Sequence, residues 1–407
     1  MKKIKIGLIG AAGFADSHLR SIAWCAEQGL CELAAVVIRD KDSNLKREEE
    51  FTARGVRIYR AYEKLYSCEK GNIDLIAIPC GIDQHAELTI RALDAGYHVM
   101  CEKPAAGSYA DALAMEAAAK RSGKNCAIGY QNIFSPSIQR LKTLTLEKRF
   151  GKLLSAHTHG LWPRSSAYYG RNCWSGKISY AGKTIFDSPM QNGMAHFLEN
   201  MLYVSGSMHD ESANPADIYM ENYHAKDIES ADTQFLRVTT DTGVKIVYAA
   251  THACITTEGP LAEYRYERGI VRWNSNGIKA YETSGATDTL VEETPNGTVS
   301  INHLVFKDTI EAINAGRAPL CTIANAKQQV QCIETGFASS GGVTKVPEQF
   351  TEKTKALKEA YGNLDVSNAW HVTITGIDDA VRSAARDNKS FAEQKLPWSK
   401  QADIIRI

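Results

Sequence analysis
Six near-continuous apolar runs, separated by helical patterns, constrain the first third of this chain more than any other feature. They cover residues 3–9, 33–38, 57–59, 73–78, 98–101 and 125–130. Helical spacing falls between them: through His18, Leu19 and Ile22, near 62–66, through His85, Leu88, Ala92 and Leu93, and over 109–122. Strands apolar on both faces that alternate with helices build a parallel, doubly wound α/β sheet. A sheet of that kind binds ligands outside the carboxyl ends of its strands.

Two of those strand ends carry chemistry. The first run stops at Gly10, and Gly10-Ala11-Ala12-Gly13-Phe14-Ala15 leads straight into a helix. Small residues at 10, 12, 13 and 15 let backbone N–H groups approach a pyrophosphate, and the helix N-terminus adds positive potential. Any tight strand-helix turn can look like this, but here it heads a series of six apolar runs separated by helical patterns. The second run ends in Ile38-Arg39-Asp40, where an NAD site usually places a carboxylate for the ribose 2′-hydroxyl. An uncharged tip beside the Arg39 guanidinium suits a 2′-phosphate and points to NADP. The fifth run ends in Glu102-Lys103-Pro104, whose proline stops the strand and leaves a lysine of fixed origin at the ligand edge. A solvated turn is the plain alternative, since Lys and Glu are mostly exposed.

With 407 residues, the chain is long enough for two or three domains. Lys plus Arg and Asp plus Glu number 47 each, so no basic field points to nucleic acid and no acidic excess to disorder. Ten cysteines lie scattered without a CxxC pair, several of them (Cys31, Cys101, Cys126) within apolar runs. That usage fits buried thiols in a reducing, cytoplasmic setting. Met1-Lys2-Lys3 followed by apolar residues imitates a signal peptide, but Lys5 interrupts the run and its glycines are spaced for a phosphate loop. No window is apolar enough for a membrane-spanning helix.

After Ser135-Pro136 the period changes. A helix through Ile138, Leu141 and Leu144 precedes a strand over 153–162. The alternating runs 235–240 and 245–252 flank Asp241-Thr242-Gly243 as an antiparallel hairpin. The expected division is a dinucleotide-binding domain at 1–130 and an α+β domain at 131–345 with an open, mostly antiparallel sheet. A helical extension at 346–407 would carry helices at 350–361 and 377–388. The sheet's free face would bury itself against a second copy.

Asp187-Ser188-Pro189 reads as a helix start, which would stack Asn192 and His196 on one face. His196 is either a buried, hydrogen-bonded histidine or an acid-base group. Trp162, Arg164, Tyr168, Tyr169, Arg171 and Trp174 form an aromatic and basic cluster. Such a cluster suits a polyhydroxylated or acidic substrate, or is a loop packed by its own rings. His157 and His159 share a strand face but lack a third ligand, so no metal is expected.

The Gly10 loop, Cys101-Glu102-Lys103-Pro104, the stretch 129–136 and the His196 helix, in that order, resemble the Gfo/Idh/MocA family over about residues 1–345. The resemblance implies a Rossmann domain and an open-sheet domain that forms homodimers or homotetramers. It also implies oxidation of a carbohydrate hydroxyl or reduction of the matching ketone. Lys103 would touch nicotinamide ribose and substrate, and His196 would be the acid-base residue. Cys80, Gly81, His85, Glu102 and Gln131 would lie with the glycine loop around the cofactor, and Trp162, Arg164, Tyr169, Arg171, Trp174 and Asn192 around the substrate. Three positions depart from the family: Asn192 stands for its usual Asp, Ile133 for a common Arg, and Cys80-Gly81-Ile82 for Thr-Pro-Asn. Two alternatives within reach of the resemblance are a glycosidase that retains its NAD and a non-catalytic nucleotide sensor.

Overall fold
The six apolar runs form one parallel sheet. In the computed structural model, which describes residues 2–359 and 364–407 and Lys41 by its backbone alone, the chain divides into two units. Residues up to 135 and 298–327 make the first; residues 136–297 and 328–407 make the second.

In the first unit β1 (Ile4–Ile9), β2 (Cys31–Val37), β3 (Arg57–Tyr59), β4 (Leu75–Ile78), β5 (His98–Cys101) and β6 (Cys126–Ile128) lie in the order β3-β2-β1-β4-β5-β6. Every neighbouring pair is parallel. The order reverses between β1 and β4, which makes the crevice where such sheets take their ligands. The connecting helices are α1 (Ala15–Glu27), α2 (Leu45–Ala53), α3 (Tyr62–Cys68), α4 (Ile82–Asp94) and α5 (Tyr109–Ser122). α2 buries only Phe51, so it leaves no apolar period in the sequence. α5 shows both end signals: the Ser108 hydroxyl accepts from Asp111 N, and Gly123 closes the helix at φ 64°.

The first boundary differs from the one expected at 130. The returning segment belongs to the first unit because its helix, Ile301–Ala315, packs along α1. There Phe306 meets the His18 ring edge-on at 4.9 Å, and His303 stacks on Trp24 and binds Ser21. Cys321 O then accepts from Ile128 N, extending the β6 edge.

The second unit runs α6 (Pro136–Leu146), β7 (Leu153–Leu161), α7 (Ser166–Tyr169), the small hairpin β8 (Ser179–Tyr180) and β9 (Lys183–Thr184), then α8 (Ala195–Ser205). There follow β10 (Pro215–His224), β11 (Thr233–Thr240), β12 (Lys245–Thr251), β13 (Glu258–Tyr266), β14 (Gly269–Asn274), β15 (Gly277–Ser284) and β16 (Thr287–Pro295). The helix of the returning segment is α9, followed by α10 (Ile323–Ser339) and β17 (Thr344–Lys345). The ten-stranded sheet is ordered β16-β15-β14-β13-β7-β12-β11-β10-β17, with a last strand, β20 (Ile405–Arg406), also on β10. Only β7–β12 and β10–β17 pair in parallel. On the inner face Tyr248 of β12 donates to Met194 O and Met220 of β10 fills the gap left by Gly336 of α10.

The tail is not the expected pair of helices. Residues 351–355 form β18 (Thr351–Lys355), paired with β19 (Trp370–Ile374); only α11 (Ile377–Asp387) matches the pattern. The charged stretch 350–359 has no apolar stripe at helical spacing, so pairing with Val372 and Ile374 decides its state. The last residues of the expected helix, 360 and 361, lie outside the described residues. The extension belongs to the second unit and covers the outer face of its sheet: Phe391, Trp398, Val381 and Ala384 pack on Tyr219, Tyr223, Phe235, Val247 and Ala249.

Candidate active site
In the first unit the glycine loop opens with Gly10 at φ 96°, and Gly13 follows at φ 63°. Both values lie where a side chain is strained, which explains glycine there. A Cβ on Gly13 would meet nothing within 4 Å, so the loop faces open space, bounded by Ala11, Ala12 and the half-exposed Phe14. Cys80 stands across from Gly10, its thiol donating to Ile9 O at 3.2 Å, and Gly81 caps α4. Small residues on both sides of the crevice, and Ala15 opening α1, fit a dinucleotide pyrophosphate.

His85 binds both neighbouring loops, with Nδ1 2.8 Å from Pro104 O and Nε2 3.0 Å from Cys80 O. Both acceptors are carbonyls, so the ring satisfies both only with two N–H groups, while burial pushes its pKa down. The Lys103 backbone is held further by Glu102, whose carboxylate accepts from Lys103 N at 3.1 Å and from His18 Nε2 at 2.9 Å. Glu102 is thus turned inward, 7% exposed. Lys103 is half-buried, and Gln131 opens the short helical turn Gln131–Phe134 after β6. At the tip of β2, Ile38 is buried and Arg39 donates to Asp42 at 2.6 Å. Asp40 is exposed, with Arg60 at 3.4 Å.

In the second unit Asp187 does not begin a helix. Its two oxygens accept from Asn192 Nδ2 at 2.7 Å and from Gly176 N at 2.6 Å, and Arg171 lies 3.9 Å away. Residues 188–194 make consecutive turns, with Asn192 N on Ser188 O and Met194 N on Pro189 O, and α8 starts only at Ala195. His196 is therefore in the first turn of α8, 7% exposed, and Asn192 precedes the helix.

The aromatic and basic cluster does assemble, around Tyr168. The Arg171 guanidinium stands 3.7 Å above that ring and 5.4 Å from Trp174; Arg164 lies 5.2 Å from it and 5.5 Å from Trp162. Trp162 meets Phe197 of α8 edge-on and donates to Gly259 O. Three partners escaped the sequence. Glu359 of the extension accepts from Ser165 N and Oγ at 2.8 Å each and faces Arg164 at 3.7 Å. His252, at the end of β12, lies 2.8 Å from the Tyr169 hydroxyl; burial and nearby Arg164 push its pKa well down. His18 showed only as a polar residue within the stripe of α1. His159 spends Nε2 on Glu258 at 2.8 Å. Among the described residues no group of three His, Cys, Asp or Glu could hold a metal ion.

The chain thus carries a doubly wound parallel sheet of dinucleotide-binding type, followed in sequence by a domain built on a mixed sheet. Residues 4–130 match the Gfo/Idh/MocA oxidoreductase family with its NAD-binding Rossmann fold. The chain is 30% identical to glucose-6-phosphate 3-dehydrogenase of Bacillus subtilis over 158 residues, which is 38% of this chain and 41% of that one. Inositol 2-dehydrogenase of Salmonella paratyphi B is 20% identical over 78% of this chain and 88% of its own. The WlbA dehydrogenase of Bordetella pertussis, solved with NADH and UDP-GlcNAcA, superposes with a TM-score of 0.67 at 20% identity, covering 84% of this chain and 97% of that one. The match to glucose-6-phosphate 3-dehydrogenase spans less than half of that relative's length.

Proposed function
We propose that this chain is an NAD(P)-dependent oxidoreductase that oxidises a secondary hydroxyl of a sugar, polyol or related carbohydrate, or reduces the matching ketone. The observation that carries this is Lys103, a cation set at the carboxyl edge of a dinucleotide-binding sheet and fixed on both sides by β5 and by His85 on Pro104 O. A nicotinamide bound there would carry the hydride. An alcohol proton leaves about as reluctantly as that of water, with a pKa of about 15.7. A base must therefore take it as the C–H bond breaks. His196 is assigned that transfer, and the Lys103 ammonium steadies the developing alkoxide. Asp187 takes the place of the carboxylate that the family carries at position 192: it grips the Asn192 amide and so orders the turn that enters α8.

The glycine loop, Cys80, Gly81 and Gln131 are assigned to the dinucleotide, and Trp162, Arg164, Tyr169, Arg171, Trp174 and Asn192 to the carbohydrate. For the adenosine end we propose NADP, supported by the buried Ile38 and by Arg39 where an NAD site carries a carboxylate. Self-association through the outer sheet face is assigned to β13–β16, because Phe391, Trp398, Val381 and Ala384 of the extension cover that face on β10–β12.

The test is a panel of sugars, sugar phosphates, polyols and 3-keto sugars, each with NAD and NADP, followed by the near-ultraviolet absorbance of reduced nicotinamide. Steady turnover with one carbohydrate, faster with NADP, is expected. Glycoside cleavage without net cofactor turnover would overturn the dehydrogenase assignment, and much tighter NAD binding would overturn the NADP preference.

A further inference from the structure
Glu102 occupies a closed site behind the strand edge. Its carboxylate receives His18 Nε2 on Oε1 and Lys103 N on Oε2. The chain just past β6 shuts the third side: a Cβ added to Gly129 would stand 2.9 Å from Oε1 and 3.2 Å from Oε2, so a side chain there would push the carboxylate out of its place. His18 is itself fixed. It is 2% exposed, and its ring is held edge-on by Phe14 at 6.1 Å and by Phe306 at 4.9 Å.

A carboxylate only accepts, so His18 Nε2 carries the hydrogen in this pair. A hydrogen bond to a buried charge is among the stronger ones, and a buried carboxylate that loses it must move or take up a proton. Movement takes the second oxygen away from Lys103 N, and protonation weakens that bond because a neutral carboxyl is the poorer acceptor. The backbone N–H of Lys103 sets where its four-carbon stem begins, so movement there displaces the ammonium.

We propose that His18 is a positioning residue for Lys103, acting through the Glu102 carboxylate from beneath the glycine loop. The inference deepens the proposed function and rests on its assignment of Lys103. It makes α1 a strut with two jobs: its N-terminus faces the phosphate loop, and its first turns hold the donor that aligns the lysine on β5.

The test uses the full chain with His18→Leu, His18→Gln and Lys103→Ala. The rate at which acetic anhydride modifies Lys103, read by mass spectrometry against Lys5 and Lys124 of the same unit, reports the lysine without any substrate. Leucine is expected to change the Lys103 rate severalfold with the two reference lysines unmoved. Glutamine, which can offer an N–H to Glu102, is expected to return it toward the parent. On the best carbohydrate of the panel, leucine should lower kcat at least about tenfold with cofactor affinity retained, since a misplacement of about 1 Å can cost about a hundredfold. Should the leucine variant not fold, His18→Asn, too short to reach the carboxylate, gives the same comparison. Lys103 reactivity and kcat both unchanged in the variant lacking the donor would overturn the inference while Lys103→Ala remained inactive. Full turnover by Lys103→Ala would instead overturn the catalytic assignment, whatever His18 did.

Discussion
Removing the His196 imidazole separates its two candidate roles. If it transfers the proton, His196→Ala lowers kcat at least about a hundredfold while cofactor affinity, measured by fluorescence titration, stays within a few-fold. Unchanged turnover together with lower stability would make it a packing residue. A second histidine reports on pH. Burial, aided by Lys124 and Lys2, pushes His98 down to about 4, and its Nδ1 accepts from Asn125 N at 3.0 Å. The unfolded ring titrates near 6.5, so between pH 6.5 and 4 the unfolded chain holds the extra proton and stability falls as pH falls. His98→Asn, which keeps an acceptor for Asn125 N, should lose less stability than the parent between pH 6.5 and 4.5 in urea unfolding. At this scale the sequence displayed Lys103 because Pro104 marks the strand end. It hid Glu359 and His252, whose partners are 194 and 83 residues away in the chain.

At the scale of elements, α8 carries His196 at one end and is tied down at the other. Lys142 of α6, fully buried, donates to Tyr203 O, Gly206 O and Glu211 O at 2.5, 2.7 and 3.1 Å. These are carbonyls of the last turn of α8 and just beyond it, where a cation also suits the helix dipole. Burial nevertheless pushes the amine down to about 7. A base lowered on folding binds fewer protons in the folded state, so its stability contribution rises as pH climbs from about 7 toward 10.5. Lys142→Met should cost roughly 2–4 kcal/mol at neutral pH, because it removes a buried donor shared by three carbonyls, and should abolish that rise. Urea unfolding at pH 7 and pH 9 reads both. The strands of the first unit were legible because burial on both faces writes continuous apolar runs, whereas α2, which buries only Phe51, was not. The start of α8 was not: Asp187, Ser188 and Pro189 carry helix-start chemistry, yet Asp187 is engaged by Gly176 and Asn192. β18 was missed for a related reason, since its partner strand lies beyond a loop and its own residues are mostly exposed.

At the scale of the molecule, the extension changes what the second unit can do with its sheet. An open sheet buries its free face against something, and here part of that face is closed within one chain. Phe391 is fully buried and touches Tyr223, Phe235 and Trp398 with ring centroids 5.9, 6.2 and 5.5 Å apart. Around this apolar centre Arg237 binds Asn388 and Glu393, and Glu258 binds Arg382. The outer face of β13–β16 is of a different kind: Glu263 pairs with Arg265 and Arg272, and Lys279 with Glu293, as on a wetted surface. A second copy that settles on β13–β16 therefore meets ion-paired side chains more than a broad apolar face. Phe391→Ala should cost roughly 3–5 kcal/mol, the usual range for a buried Phe lost from a core. Five of the six tryptophans lie in the second unit, so fluorescence-detected urea unfolding follows that unit. If the extension is the cover, the variant also uncovers Tyr219, Tyr223 and Phe235, and its apparent mass in light scattering rises with concentration where that of the parent does not. Equal mass profiles and a loss below about 1 kcal/mol would mean the segment rests on the sheet without protecting it.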